Sequence, residues 1–203
     1  HAVYFTHDFT PTPRLTFRTG VRLSCFQNLG EEDLFVFDDI IHSVIDTLHY
    51  GRGEVFNTVV NPEPRVAAMY QLDEHSSVKA SYSRTVQYAQ VASSATGGLP
   101  FDVWFPTSPN VKPQKCDQFA LGYFRNFDDD AIETSVEVYY KDMKNVIDFK
   151  DNAITYGYLL IDGELRVGKG RSYGAEFLVR KNVGKFTGWI SYTYSRTFRT
   201  IPE

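Results

Sequence analysis

The sequence predicts an all-β fold: an antiparallel transmembrane β-barrel segment of seven or eight strands, too short to close by itself. Three observations predict this fold. Apolar and polar residues alternate along most of the chain, the connections alternate between short and long, and Phe, Tyr and Trp make up 15% of the 203 residues. Aromatic side chains pack well on a pleated sheet. No apolar run approaches the roughly 18–20 residues of a membrane helix, but barrel strands turn only alternate residues to lipid and need no such run.

Each predicted strand has one apolar and one polar face. The clearest case is residues 131–149, where Val136 and Tyr140 alternate with Glu137 and Lys141. A period of two places the two sets on opposite faces of a strand, so the faces need different surroundings. The predicted strands are residues 14–24, 65–72, 77–88, 118–127, 131–149, 171–180 and 185–200, with an eighth near 158–167.

The connections between these strands alternate in length. The short ones are residues 73–76, 128–130 and 181–184, and the long ones are residues 25–61, 89–115 and 150–170. Short periplasmic turns and long outer loops are typical of outer-membrane barrels, whereas a soluble β-sandwich does not need this regularity. In loop 33–50 the apolar residues fall at helical spacing, which suggests a short amphipathic helix on the outer side.

Charge and the start of the chain narrow the choice of function. The net charge is −4 and there is no basic stripe, so nucleic acid is not expected as a partner. The chain opens at His1 on a strand-like pattern, without the basic and apolar regions of a signal peptide. We therefore expect a fragment of a longer protein.

The two cysteines, Cys25 and Cys116, lie at the outer ends of their predicted strands. Three strand-to-strand steps separate these strands, or about 14 Å at roughly 4.8 Å each. A disulfide needs Cα atoms within about 7 Å. The two thiols could pair only if the loops bend together, and the sequence leaves that open.

No pattern predicts catalysis, a metal or a cofactor. Residues 163–169 resemble a phosphate-binding loop, but Gly170 replaces the required Ser or Thr and strand alternation follows. Residues 128–130 are three aspartates, which favour a solvated turn over a cation site. Glu133, Glu137 and Glu176 lie on polar faces, where we expect them to face a barrel lumen and not to form a glycosidase pair. The sequence therefore predicts that the chain is not an enzyme.

Several motifs together resemble one family. Residues 99–114, with Val-Lys-Pro at 111–113, are similar to the loop before a late barrel strand in TonB-dependent outer-membrane receptors, especially those of Bacteroidetes type. Residues 137–147 resemble the following strand, with its Tyr-x-x-x-x-x-Asn-x-Ile pattern. Residues 170–176 resemble a Gly-x-x-Tyr-Gly-x-Glu strand entry, and residues 188–196 resemble the next strand. The resemblance covers about residues 14–24 and 57–200.

The resemblance implies what the whole protein would be. Residues 1–203 would form part of a barrel domain of about 22 strands, without the plug domain and the closing C-terminal strand. The receptor would lie in the outer membrane of a Gram-negative cell, in contact with its lipid. It would take up a scarce ligand, such as a siderophore, cobalamin or an oligosaccharide, with energy from TonB acting on the plug. A surface lipoprotein would be a further partner.

The alternatives are a passive outer-membrane barrel, such as a porin or adhesin, and a soluble β-sandwich such as a carbohydrate-binding module. The resemblance supplies no ligand and no catalytic residue. We expect specificity to lie in loops 25–61, 89–115 and 150–170, with Trp104, Phe105 and Tyr158 as ligand-binding candidates. Packing in the loops or in the aromatic girdle is the other interpretation of each.

Overall fold

The computed structural model describes residues 1–38, 43–92, 103–153 and 160–202, and the fold within these ranges is built from antiparallel strands. Eight long strands form the main sheet: β1 (Ala2–Thr12), β2 (Leu15–Leu29), β5 (Val55–Asp73), β6 (Ser76–Gln87), β9 (Gln114–Phe127), β10 (Ile132–Phe149), β11 (Leu165–Lys181) and β12 (Gly188–Thr200). Two hairpins lie in the connections: β3 (Glu32–Phe37) with β4 (Val44–Tyr50), and β7 (Ala89–Ala92) with β8 (Val103–Pro106). The described residues contain no helix that is long and apolar enough to cross a membrane.

The main sheet has the order β1-β2-β5-β6-β9-β10-β11-β12, so each strand pairs with the next long strand along the chain. All these pairings are antiparallel. The predicted all-β, antiparallel class is confirmed. Strands β1 and β12 are the two edges, and within the described residues they do not pair with each other.

One predicted strand was wrong, and one strand of the main sheet was missed. The eighth strand expected near residues 158–167 is not found in the described part of that range, residues 160–167, because Ile161–Glu164 is a 3₁₀ helix and β11 already begins at Leu165. The actual eighth strand is β1, which pairs with β2 from Ala2 to Thr12. Its alternation is weak because His7 stands in the apolar set and Pro11 breaks the pattern near its end.

The turns of the main sheet follow the predicted alternation. Two to six residues join β1 to β2, β5 to β6, β9 to β10 and β11 to β12, and the other connections are long. Asp128, Asp129 and Asp130 all have positive φ, between 49° and 66°. Asp tolerates this left-handed region better than most residues do, which explains a turn made of three aspartates.

The helix expected in loop 33–50 is wrong. Strands β3 and β4 form a hairpin there, in which Leu34 is paired with Leu48. The apolar residues satisfy helical spacing by chance, while Phe35, Val36 and Val44 favour strands and find partners across the hairpin. Ile41, which belonged to the predicted helical stripe, lies outside the described residues.

The main sheet has two chemically different faces. Paired residues share a face, so the register carries each alternation from strand to strand. On one side Tyr82, Phe119, Tyr140 and Tyr173 form a continuous cross-strand row. We call this side the apolar face; its other members include Val78, Ala80, Leu121, Tyr123, Val136, Val138, Phe177 and Val179. No second sheet covers it within the described residues, which argues against a β-sandwich.

The opposite side is polar, and we call it the polar face. Its members include Arg18, Arg22, Glu63, Lys79, Gln118, Glu137, Lys141 and Glu176. The predicted assignment of Glu133, Glu137 and Glu176 to one polar face is confirmed by the register.

The cysteines lie on different sides of the sheet. Cys25 is paired with Val60 and shares the apolar face with Leu23, whereas Cys116 is paired with Thr85 and Met143 on the polar face. Both are free thiols. The sheet therefore lies between them, in addition to the three strand steps that the sequence predicted.

Candidate ligand-binding site at the loop end

The three long connections meet at one end of the sheet. Asn110, which follows the β7–β8 hairpin, donates from its side-chain amide to the Phe35 carbonyl at 3.1 Å and to Asp162 Oδ2 at 3.4 Å. Phe35 lies in the β3–β4 hairpin and Asp162 in the 3₁₀ helix before β11. One side chain thus links all three connections.

A small hydrophobic core holds this end together. Its buried members are Ala92, Phe105, Val111, Ile147 and Leu165. The ring of Phe105 meets that of Phe149 edge-on, with 6.0 Å between centroids. The hydrophobic core therefore lies among the long connections and the strand ends next to them, where it fixes the loops relative to the sheet.

A cavity of about 290 Å³ lies between the three connections. Aromatic and acidic side chains line it, among them Phe35, Phe37, Phe56, Trp104, Glu32, Asp33 and Asp162. No Lys or Arg lines this cavity among the described residues. A site with apolar walls and a few oriented polar groups is the usual form of a small-molecule site.

The structure separates the three sequence candidates. Trp104 and Phe105 both line the cavity, but Trp104 is 66% exposed, whereas Phe105 is only 3% exposed and also belongs to the hydrophobic core. Adjacent residues of strand β8 point to opposite sides, which explains the split. Tyr158 lies outside the described residues.

Asp162 is an acidic residue of the cavity wall whose pKa is shifted by its surroundings. Burial raises its pKa, and the hydrogen bond from Asn110 opposes this shift. Asp33 lies on the same cavity and contacts His49 Nδ1 at 2.6 Å. Asp162 therefore takes up a proton more readily than an ordinary aspartate as the pH falls.

A buried polar cluster lies on the polar face near the loop end. Ser24 Oγ donates to Glu63 Oε1 at 2.7 Å and lies 2.7 Å from Tyr88 Oη. The side-chain amide of Asn61 donates to the same Tyr88 oxygen at 3.2 Å. The Tyr88 ring stacks on Phe26, with 5.2 Å between centroids. This cluster braces β2 and β5 against the start of the second loop.

Sequence reasoning did not find this cluster. Tyr88 and Ser24 are 64 residues apart, and only the strand order brings them together. The available signal was local: Ser24 continues the polar face of Arg18 and Arg22.

The register also places two carboxylates side by side on the polar face. Glu137 and Glu176 are directly opposite partners in β10 and β11. They lie on an open sheet surface far along the strands from the loop cavity.

In the described ranges no group of three or more His, Cys, Asp or Glu residues could hold a metal ion.

The amino-acid sequence matches the family model described as TonB dependent receptor-like, beta-barrel, over residues 1–203. The chain belongs to the TonB-dependent receptor family. The predicted resemblance is confirmed at the level of the family. No curated protein matches the chain by sequence.

Solved structures of TonB-dependent receptors show the same fold. The alcaligin outer-membrane receptor FauA from Bordetella pertussis aligns with a TM-score of 0.61 and 14% identity, over 98% of this chain and 30% of that one. The ferric-catecholate import receptor Fiu from E. coli K12 gives 0.58 and 18%, over 100% and 28%. The FpvAI receptor, solved with pyocin S2, gives 0.62 and 15%, over 98% and 23%.

The chain therefore spans less than a third of each of these proteins. At such identities the likeness concerns the fold alone. The family consists of transport receptors and not of enzymes, and its members are outer-membrane β-barrels. The Bacteroidetes grouping stays a prediction.

Proposed function

We propose that this chain forms part of the wall and outer vestibule of a receptor that takes up a scarce ligand across the outer membrane, driven by TonB. The observation that carries the proposal is the family match over the whole chain, on a sheet with one apolar and one polar face. Three linked loops with a cavity between them supply a place where a ligand can bind.

We propose that further strands complete the barrel. Strands β1 and β12 each leave one edge without a partner among the described residues, and an open edge that is long and apolar invites pairing. A plug domain and a closing C-terminal strand, both elsewhere in the protein, would complete the receptor. TonB would act on that plug.

The dimensions of the apolar face support its placement in lipid. In β10 it runs over nine residues from Ile132 to Tyr140. Nine residues cover about 30 Å along a strand, which becomes roughly 23 Å across a bilayer at a tilt near 40°. This agrees with the apolar band of about 25 Å on outer-membrane barrels. Tyr82, Phe119, Tyr140 and Tyr173 would form the girdle at the outer interface.

The cavity chemistry narrows the ligand. Glu32, Asp33 and Asp162 give its wall negative charge, and Trp104 and Phe37 supply flat apolar surface. An anionic chelate would be repelled by such a wall, because like charges across a binding site cost affinity. We therefore propose a neutral or cationic ligand with exposed apolar surface, such as a hydroxamate iron chelate.

Uptake by cells that produce the complete receptor tests the proposal. Matched strains with and without TonB receive a neutral ferric hydroxamate labelled with radioactive iron, labelled cobalamin or a labelled oligosaccharide. We expect one probe to accumulate only in the strain with TonB. Equal accumulation in both strains would indicate a passive barrel, and no accumulation of any probe would contradict the proposed ligand range.

A further inference from the structure

The apolar face ends in basic residues on the side of the long loops. Directly beyond the aromatic row, the register places Arg84, Asp117, Asp142 and Arg171 side by side. One step further along the strands, it places Lys115, Lys144 and Lys169 side by side on the same face. We call these three residues the lysine row.

The lysine row is electrostatically unusual. Lys144 is the direct cross-strand partner of both Lys115 and Lys169, and like charges directly opposite each other destabilise a sheet. None of the three lysines has an ion-pair partner within the described residues. Lys144 and Lys169 are exposed.

The acidic residues next to the lysine row are Asp117 and Asp142, and each also has an arginine beside it. Asp117 is already engaged by Arg84, whose Nε and Nη2 donate to its two carboxylate oxygens at 2.7 and 3.0 Å, and by the Tyr82 hydroxyl at 2.7 Å. Asp142 has Arg171 as its direct cross-strand partner. The two acids and the two arginines therefore balance, and the three lysines leave a formal surplus of three positive charges.

A groove joins the basic residues to the aromatic row. Its volume is about 510 Å³, and its lining residues are Tyr140, Lys169, Gly170, Arg171, Tyr173, Phe198 and Thr200. The rings of Tyr173 and Phe198 stack, with 6.1 Å between centroids. Along the groove, Lys169 lies at the loop side, Arg171 lies directly opposite Phe198, and Tyr140 and Tyr173 form the far end. Cations and aromatic side chains therefore line the same groove.

This juxtaposition fits an amphipathic anion. Basic clusters beside a membrane-spanning segment bind anionic lipid headgroups, and aromatic girdles lie at headgroup level. We propose that the lysine row and Arg171 bind the phosphate groups of a phosphorylated lipid in the outer leaflet, with its acyl chains along Tyr140, Tyr173 and Phe198. The inference rests on the proposed membrane placement, but not on TonB or on the ligand taken up.

The test uses the complete receptor, purified in detergent, with diphosphoryl lipid A as the probe. Retained lipid is measured by native mass spectrometry for the wild type and for the variant K144Q/K169Q. The matched control is K79Q/K141Q, which removes two lysines from the polar face. Each basic residue near an anionic surface contributes about a fivefold factor in affinity, so K144Q/K169Q is expected to bind about 30-fold more weakly. The control is expected to bind like the wild type.

Two further arms identify the headgroup chemistry and the source of the phosphate. Dephosphorylated lipid A is expected to bind as weakly as diphosphoryl lipid A binds to K144Q/K169Q. Inorganic phosphate at millimolar concentration is expected to leave the bound lipid in place, because it lacks the acyl chains that the aromatic floor would hold. Displacement by phosphate alone would overturn the assignment to a lipid.

Equal binding by the wild type and K144Q/K169Q, or equal binding of the dephosphorylated lipid, would also overturn the proposal. The far-ultraviolet circular dichroism of each variant verifies its β-sheet content before binding is measured. A receptor that retains the lipid but shows no TonB-dependent uptake would refute the proposed transport function and leave the lipid site standing. A receptor that shows TonB-dependent uptake but binds both forms of lipid equally would refute the lipid site and leave the proposed transport function standing.

Discussion

Trp104 and Phe105 are neighbours in the chain, yet 66% of Trp104 is exposed and only 3% of Phe105 is. Both residues line the loop-end cavity, but the phenyl ring is also packed into the hydrophobic core, whereas the indole is left open. Replacing Trp104 with Ala should raise the Kd for the transported ligand about tenfold or more, because an exposed aromatic anchor is lost. Fluorescence titration of the complete receptor measures this. Trp189, on the edge strand β12, offers a control, and W189A should leave the Kd unchanged.

Phe105→Ala should lower the stability of the loop end, and its effect should not come from a lost contact with the ligand. Removing a buried phenyl ring costs about 3–5 kcal/mol, here from the packing of the loops on the upper strand ends. Amide hydrogen exchange is expected to speed up in Val103–Pro106 and around Val111 and Ile147, while the lower part of the sheet keeps its protection. Unchanged exchange at the loop end would show that the hydrophobic core does not hold the loops.

Asn110 links the three loops through hydrogen bonds of 3.1 Å to Phe35 and 3.4 Å to Asp162. Asn110→Ala should loosen the loops by about 1–3 kcal/mol, because it removes two bonds and leaves the Phe35 carbonyl without this donor. Spin-label distances between the β3–β4 and β7–β8 hairpins should broaden. A distance distribution as narrow as that of the wild type would argue against the link.

The stability of the loop end should depend on pH through Asp162. Burial raises the pKa of this carboxyl in the folded state. Its ionisation therefore costs stability, fully so above the folded pKa, and the cost disappears as the pH falls to the unfolded pKa. Hydrogen-exchange protection of the loops should rise on acidification in the wild type. D162N should show high protection at neutral pH and a weaker rise.

Other carboxylates line the same cavity, so the pH experiment needs a control. Asp33, which pairs with His49, and Glu32 line this cavity together with Asp162. D33N should keep the rise in protection on acidification. If D33N abolishes that rise and D162N does not, Asp33 and not Asp162 is the group that matters.

The cysteines should not form a disulfide. Cys25 lies on the apolar face and Cys116 on the polar face, so the sheet separates their thiols. Mild oxidation of the receptor in lipid should leave both thiols titratable after unfolding. Mass spectrometry that finds a peptide linked through Cys25 and Cys116 would contradict the strand register.

The sequence predicted the strands whose apolar faces are unbroken, such as β9 and β10. It missed β1, where His7 interrupts the apolar set, and it took the β3–β4 hairpin for a helix because Leu34 and Leu48 also fit helical spacing. In a short segment, the local pattern cannot distinguish the two-residue repeat of a strand from the 3.6-residue repeat of a helix. Pairing with a neighbouring strand decides between them.

The candidate site was less predictable than the strands. The three loops were expected to matter, but their link through Asn110 depends on contacts 52 and 75 residues away. The different roles of Trp104 and Phe105 follow from the direction of strand β8, which the sequence did not reveal. The lysine row likewise exists only in the register, since its members lie on three different strands.

The two faces of the main sheet are expected to meet different surroundings, lipid on the apolar side and water on the polar side, and spin labels distinguish the two. Nitroxide spin labels are placed at Val136 and Glu137, neighbours in β10 on the apolar and polar faces. Accessibility is measured in lipid with oxygen, which concentrates in the bilayer, and with a water-soluble nickel chelate. The label at 136 should be relaxed mainly by oxygen, and the label at 137 should not. Equal exposure of both labels to oxygen would contradict a lipid-facing apolar side.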